Sequence, residues 1–510
     1  MPCGLGKMTS LQTLSLFVLS NDPPPTTGNI GRLSELNQLN NLRGTLEIKN
    51  LVQLGDANSE SYAANLKEKQ HLELLKLTWN LLGESTRFNP SGSLFLVGGG
   101  VGASSKVDND YETSLEGLKP HQNLKSLLVY GYGGVRFSSW LSSLSNIVYL
   151  ELKRCTRCKH LPSLSQLHSL ESLHLSEMGS LEYISDNDIT EEVPASLAAS
   201  TTFFPSLKSL EIYNCPNLKE WWRRDFVEFN NDNDNAIATA FVSTIEQHHQ
   251  SLPSFPRLSK LFIQNCPKLT CTPLFPYLEE ELYLEDVGLK LVQQTMEAAS
   301  SLPSSSSSSL SSPLSKLKSM SMQFIEDLEF LPDEWVSNLN SLKSLEISRC
   351  PRLKSLSRAV QYLTSLEKLE ISHCDEFNPH SDGNDDGMGW KRLNCLHSLT
   401  FQDVPKMKSL PKGLQHVTTL QELTISKCPN FMTLPEWTSK LTSLELLEIG
   451  ACPNLTSLPN GMSGLRSLRK LRIAGCPHLE EKCQEGFGEE WPKITHVPNI
   501  SNHLVFWEMD

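Results

Sequence analysis

The sequence predicts an α/β repeat: a curved solenoid with a parallel concave sheet of about sixteen short strands and an irregular convex side. Three observations predict it. One phrase built on Leu, Ile and Cys returns along much of the chain at near-constant spacing. The chain is 510 residues long, beyond the size at which a single core keeps growing, so it is either several domains or one array. Apolar residues make up only 39% of it, with Leu spread throughout, which suits a thin elongated core better than a spherical one.

The phrase is L-x-x-L-x-I-x-x-C-P-x-L. It reads Leu207, Leu210, Ile212, Cys215-Pro216, then returns from Leu258 to Cys266-Pro267, Leu342 to Cys350-Pro351 and Leu366 to Cys374. Further copies run from Leu420 to Cys428-Pro429, Leu444 to Cys452-Pro453 and Leu468 to Cys476-Pro477. Cys350 and Cys374 are 24 residues apart, as are Cys428 and Cys452, and Cys452 and Cys476. A looser copy ends in Val404-Pro405. This is a leucine-rich-repeat signature with Cys in the Asn/Cys slot. Weaker copies centre on Leu14/Leu16, Leu46/Ile48, Leu75/Leu77, Leu127/Val129, Leu150/Leu152 and Leu173/Leu175, with two more at Leu282/Leu284 and Met320/Met322. Ile494 to Val497 is a candidate terminal strand.

Each part of the phrase has a physical role. In L-x-L or L-x-I the two apolar residues share one face of a strand. One short strand cannot bury that face alone, so neighbouring repeats stack into a parallel sheet over a continuous core. Cys is small and apolar and fits where the chain leaves the strand; Pro fixes φ and ends ladder pairing. Cys215, Cys266, Cys350, Cys374, Cys428, Cys452 and Cys476 are therefore structural turn residues. A second phrase, with Leu434-Pro435 and Leu458-Pro459, is expected to form the convex return. The whole of 1–510 reads as one domain, with insertions as loops near 84–112, 186–203, 228–253, 298–313 and 376–391; the fourth carries the serine run Ser304 to Ser309.

Charge and cysteine usage bound the function. A net charge of −13 disfavours nucleic acid as the bulk partner. Thirteen cysteines, eight of them at or near one repeat position, are not a disulfide framework. There is no long apolar run for a membrane span and no apolar stretch of signal-peptide type at the start. Reduced cysteines together with the lack of a signal-type start lead to the expectation of a cytoplasmic or nuclear chain.

The Cys-Pro repeats, the phrase from Ile30 to Lys49, the segment from Leu66 to Trp79 and the closing EWPKITHVP from Glu490 to Pro498 resemble plant intracellular immune receptors. The resemblance is to the leucine-rich-repeat part of coiled-coil nucleotide-binding (NLR-type) disease resistance proteins. It implies perception of a pathogen effector or a host guardee, and regulation of a nucleotide-binding switch domain. The residues that match the family lie in the repeats alone, so ADP or ATP binding is not expected of this chain, which resembles a fragment or truncated product. A substrate adaptor of a ubiquitin ligase is the alternative; it needs an F-box segment, and none is seen. An extracellular receptor domain fits less well, and the sequons at Asn454 and Asn499 are weak signals.

Nothing in the sequence assembles an active site, so an enzyme is not expected. Gly4 to Thr9 superficially suggests a phosphate loop but lacks its spacing. Cys155 and Cys158 form a lone C-x-x-C, insufficient for zinc. The acidic runs Glu279–Glu281, Glu480-Glu481 and Glu489-Glu490 read as surface charge. The candidate site is the concave face. Tyr213, Phe262 and Tyr283 are expected to form an exposed aromatic patch there, Tyr130 and Tyr132 a second, and Glu346 and Glu370 an acidic column. Trp221-Trp222-Arg223-Arg224 caps a loop or makes a contact.

Overall fold

In the computed structural model, the described residues are 4–19, 32–51, 57–79, 105–185, 203–222, 252–300, 312–356, 358–380 and 388–501. Their centre is one parallel sheet of 17 strands. Its first seven strands are Leu16–Val18, Arg43–Lys49, His71–Thr78, Ser126–Tyr130, Tyr149–Lys153, Ser172–Ser176 and Ser209–Tyr213. Ten follow: Lys260–Gln264, Glu281–Glu285, Ser319–Gln323, Ser344–Ser348, Lys368–Ser372, Ser398–Gln402, Glu422–Ser426, Leu446–Gly450, Lys470–Ala474 and Asn499–Ser501. Each pairs with the next in chain order, so the sheet has the sequential connectivity of a solenoid.

The register explains the core. Leu345, Leu369 and Leu399 are ladder partners, as are Ile347, Ile371 and Phe401, and all six are buried. The residues between them face outward. The expected period of two thus holds repeat after repeat.

Every strand in the Cys-Pro region ends the same way. The residue before the turn position takes a left-handed backbone: Asn214, Asn265, Asp286, Phe324, Arg349, His373, Asp403, Lys427, Ala451 and Gly475 all have φ between 49° and 70°. Its N–H still extends the ladder, as where Lys427 donates to Gly450 O at 2.8 Å and Ala451 to Ala474 O at 2.8 Å. The next residue is buried: Val287, Ile325 or Val404 in three of these repeats, and in the others the Cys, whose Sγ reaches back to the strand. Cys428 Sγ is 3.2 Å from Ser426 O and Cys374 Sγ is 3.3 Å from Ser372 O. The thiol serves as a weak second donor to a carbonyl that already accepts a ladder N–H, Ser426 O from Asp403 and Ser372 O from Arg349.

The convex return follows the second phrase. Pro435 leads into a 3-10 turn, Glu436–Lys440, and Pro459 into Asn460–Gly464. Pro411 does the same before Lys412–His416. A small second ladder lies outside the main sheet: Tyr183–Ser185 pairs with Glu220–Trp222, and bridges at Arg136, His160 and Cys271 extend it.

The structure corrects several expectations. The first strand is inward at Phe17 rather than at Leu14 and Leu16; Leu16 is exposed, because Phe17 pairs in register with Ile48. The terminal strand is Asn499–Ser501, which pairs with Lys470–Ala474; Ile494 belongs to the segment leading to it. The insertion placed at 84–112 as a loop ends in a helix, Ser105–Gly117. It packs beside Ala57–Ala63 so closely that a Cβ on Gly117 would lie 2.1 Å from Ser61 Oγ. The insertion placed at 298–313 overlaps the end of helix Lys290–Ser300, and that at 376–391 begins with the buried Phe377 and runs into a 3-10 turn at Met388–Arg392. The remaining insertions, apart from Phe203 and residues 252–253, lie outside the described residues, as do the serine run, Arg223 and Arg224.

Candidate protein-binding face

The outward columns of the sheet form a continuous surface. Its centre row passes through Glu211, Phe262, Tyr283, Ser321, Glu346 and Glu370 as successive ladder partners. The Phe262 and Tyr283 rings stack with centroids 4.2 Å apart and planes 9° from parallel. Side by side on adjacent strands, they have no lower-energy place to go than onto each other. Tyr283 Oη donates to Glu285 Oε2 at 2.5 Å, and burial raises its phenol pKa, so the ring is held and neutral. Tyr213 lies on the same face but in the next column: its ladder partner is Gln264, and Phe262 faces Glu211.

Tyr130 also lies on the face, with Lys76 Nζ 4.7 Å above its ring and its Oη donating to Glu151 at 2.9 Å. Tyr132 does not. It is fully buried, against Trp79, Tyr111 and Phe137, and its Oη donates to Arg136 O at 2.7 Å. The period of two ends at Gly131, whose φ of 69° turns the chain off the strand and drives the next side chain inward. Trp221 and Trp222 are buried too, packed with Phe203, Phe204 and Phe255, so neither ring is offered as an exposed contact.

A polar chain links the N-terminal strands. Glu47 pairs with Lys76 at 3.0 Å, Tyr130 and Tyr149 both donate to Glu151, Tyr149 lies 4.9 Å from the His174 ring, and His174 Nδ1 is 2.8 Å from Glu211. Sequence reading found these positions as columns but not as one network. Further along, Glu346 and Glu370 are ladder partners. Burial, and then the Glu370 charge, raise the Glu346 pKa. Gln323 donates to Glu346 at 2.8 Å, while Lys368 Nζ is 3.2 Å from Glu370.

Other candidates are accounted for structurally. Gly4 N and Gly6 N, which would face an anion in a phosphate loop, donate instead to the Glu35 carboxylate, at 2.9 and 2.5 Å. Cys155 and Cys158 are both buried. Burial pushes the thiol of Cys350 up to about 12 and that of Cys374 up to about 11, so both stay protonated at neutral pH. Among the described residues no group of three or more His, Cys, Asp or Glu is placed to hold a metal ion, and no helix is long and apolar enough to cross a membrane. Glu490, expected as surface charge, is buried: it accepts from Leu458 N at 2.9 Å and pairs with Lys493 at 2.7 Å.

With this geometry in place, the sequence matches known families in two stretches. Residues 33–178 match the leucine-rich repeats of the R13L1/DRL21 type. Residues 313–476 match the leucine-rich repeats of RPS2-like plant disease resistance proteins. Its leucine-rich repeats are thus similar to those of plant disease resistance proteins. The array is 29% identical over 349 residues to a putative disease resistance RPP13-like protein 1 of Arabidopsis thaliana, covering 64% of this chain and 29% of that one. It is 27% identical over 355 residues to disease resistance protein RGA2 of Solanum bulbocastanum, covering 69% of this chain and 27% of the relative. The array thus matches less than a third of the length of these curated relatives. A leucine-rich-repeat protein of Leptospira interrogans superposes with a TM-score of 0.44 at 16% identity, covering 91% of this chain and 91% of that one.

Proposed function

We propose that this array is the protein-reading surface of a plant immune receptor. It binds a pathogen effector, or a host protein that effectors target, on the concave face around Phe262 and Tyr283. In a full-length receptor the same array also docks the nucleotide-binding domain and restrains it. ADP or ATP is bound by that domain and not by these repeats, which do no chemistry and work in the cytoplasm or the nucleus. The observation that carries the reading is the Phe262–Tyr283 stack: two large rings held in one orientation on an outward column, with adjacent carboxylates. Rigid aromatic surface loses little conformational entropy on binding and is common among interface anchors.

The test is site-specific photocrosslinking in plant cells. A crosslinker at position 283 should capture a discrete partner protein, and one on the convex side at position 440 should not. Replacing Phe262 and Tyr283 together with Ala should lower a partner's affinity about tenfold or more, with far-UV circular dichroism unchanged. Capture only from the convex side, or undiminished affinity of the double variant, defeats the reading.

A further inference from the structure

At the strand-exit edge beside the aromatic stack lies a groove of 350 Å³, lined by Asn265, Glu285, Asp286, Phe324, Glu326 and Arg349 among others. Its floor is Phe324, in the left-handed column at φ 52° and 40% exposed. A side chain with a Cβ is strained there. Leu314 and Phe204, also left-handed, are repaid by full burial. Arg349, His373 and Lys427 hold the same backbone without burial, so what sets Phe324 apart is a large apolar ring left exposed at this turn.

The charges of the groove are unbalanced. Elsewhere on the face several acids have basic partners, Glu47 with Lys76, Glu211 with His174, Glu370 with Lys368 and Glu448 with Arg472, while Glu151 and Glu346 stand singly and accept from neutral donors. Among the described residues Glu285, Asp286 and Glu326 form no ion pair. Burial, and then the charges of Glu326 and Glu285, raise the Asp286 pKa, as expected for crowded carboxylates without a cation. The one local cation, Arg349, lies over the Phe324 ring with Cζ 5.0 Å from its centroid. That contact shows that a guanidinium is accepted on this ring, yet it leaves the three acids unpaired.

We infer that this groove is the subsite in which the array takes an arginine or lysine side chain from a basic segment of its protein partner, the cation pairing with Glu285, Asp286 and Glu326 against Phe324. The inference rests on the reading of the face as a protein-docking surface and adds the chemistry of the partner. Tyr283 links the two places, because its hydroxyl donates to Glu285.

The test is fluorescence anisotropy of the full chain with a labelled peptide of alternating Arg and Ser, and with the same peptide carrying neutral citrulline for Arg. The arginine peptide should bind, and the citrulline peptide about tenfold more weakly or not at all. The triple variant Glu285→Gln, Asp286→Asn, Glu326→Gln should weaken binding about tenfold, and Phe324→Asn about fivefold. Asn occupies the equivalent position at Asn214 and Asn265, so Phe324→Asn is expected to fold, and a thermal melt checks it. Glu68→Gln, Glu73→Gln, Glu297→Gln removes the same charge from exposed sites elsewhere and should change binding less than twofold. Equal loss in the two triple variants, or no loss in the groove variants, overturns the inference. Those results leave the concave-face reading to its own crosslinking test, so the two failures are distinguishable.

Discussion

At the scale of single residues, the positions that cost energy are those with a backbone or an ion in an unfavourable place. The left-handed residue that ends each strand is most easily an Asn, Asp or Gly. Ala451 sits there at φ 49°. Ala451→Gly is expected to stabilise the array by about 0.5–1 kcal/mol, the backbone relief exceeding the extra chain entropy of glycine. Gly475, at φ 70° with Ala451 Cα 3.1 Å from where a Cβ would go, should show the opposite: Gly475→Val costs about 2 kcal/mol or more in urea unfolding. Lys69 is the misplaced ion. It is wholly buried, donates to Leu36 O at 2.7 Å, and burial lowers its pKa from 10.5 to about 8. Between those values the unfolded chain binds a proton that the folded one does not. Stability therefore rises with pH from about 8 to about 10.5, by at most about 3 kcal/mol. Below pH 8 the penalty is fully present. Lys69→Met should flatten that part of the pH–stability profile, and an unchanged slope would show that the shift is not real.

At the scale of the repeat, strand, left-handed turn, buried Cys and convex Pro form one unit. The thiols of Cys350, Cys374 and Cys452 are raised to about 12, 11 and 12 and lie inside the array, whereas Cys395 is exposed. Maleimide labelling of the native chain near pH 8, read by peptide mass spectrometry, should modify Cys395 well before those three. Labelling at equal rates would mean that the turns open readily. The unit was legible in the sequence because its period is short and its apolar positions are fixed by a pleat: Leu345, Ile347 and Cys350 could be placed inward from spacing alone. Tyr132 was misread by the same rule, since a turn at Gly131 breaks the alternation that the rule assumes. Phe324 was overlooked because it lies one residue past the two outward columns. The signal was present, as Asn and Gly precede Cys at Asn214, Asn265 and Gly475.

At the scale of the molecule, a repeat array is held together by contacts between neighbours, so damage stays local. The C-terminal end is closed by helix Pro477–Lys482 and by Glu490, which ties Leu458 N and Lys493 across to the last repeats. Glu490→Ala leaves a buried amide unsatisfied and the Lys493 ammonium with Leu458 O but without its counter-ion, and should cost about 3 kcal/mol there. Hydrogen exchange should quicken in Leu446–Gly450 and Lys470–Ala474 and stay unchanged in Ser126–Tyr130 and Tyr149–Lys153. A uniform loss of protection would mean that the array unfolds as one block.

The sequence by itself determined the solenoid, the inward columns, the Cys-Pro turns and the likeness to plant disease resistance proteins, because all of these are local patterns repeated many times. It also placed Phe262, Tyr283, Glu346 and Glu370 on the outward face. Only the tertiary structure decided which outward residues meet: Phe262 with Tyr283 but not Tyr213, Tyr130 with Glu151, and Phe324 with Arg349. The physical reason is that the repeat pattern gives each residue its column, whereas which neighbours touch is set by side-chain packing once strands up to 52 residues apart, such as those of Thr78 and Tyr130, lie side by side.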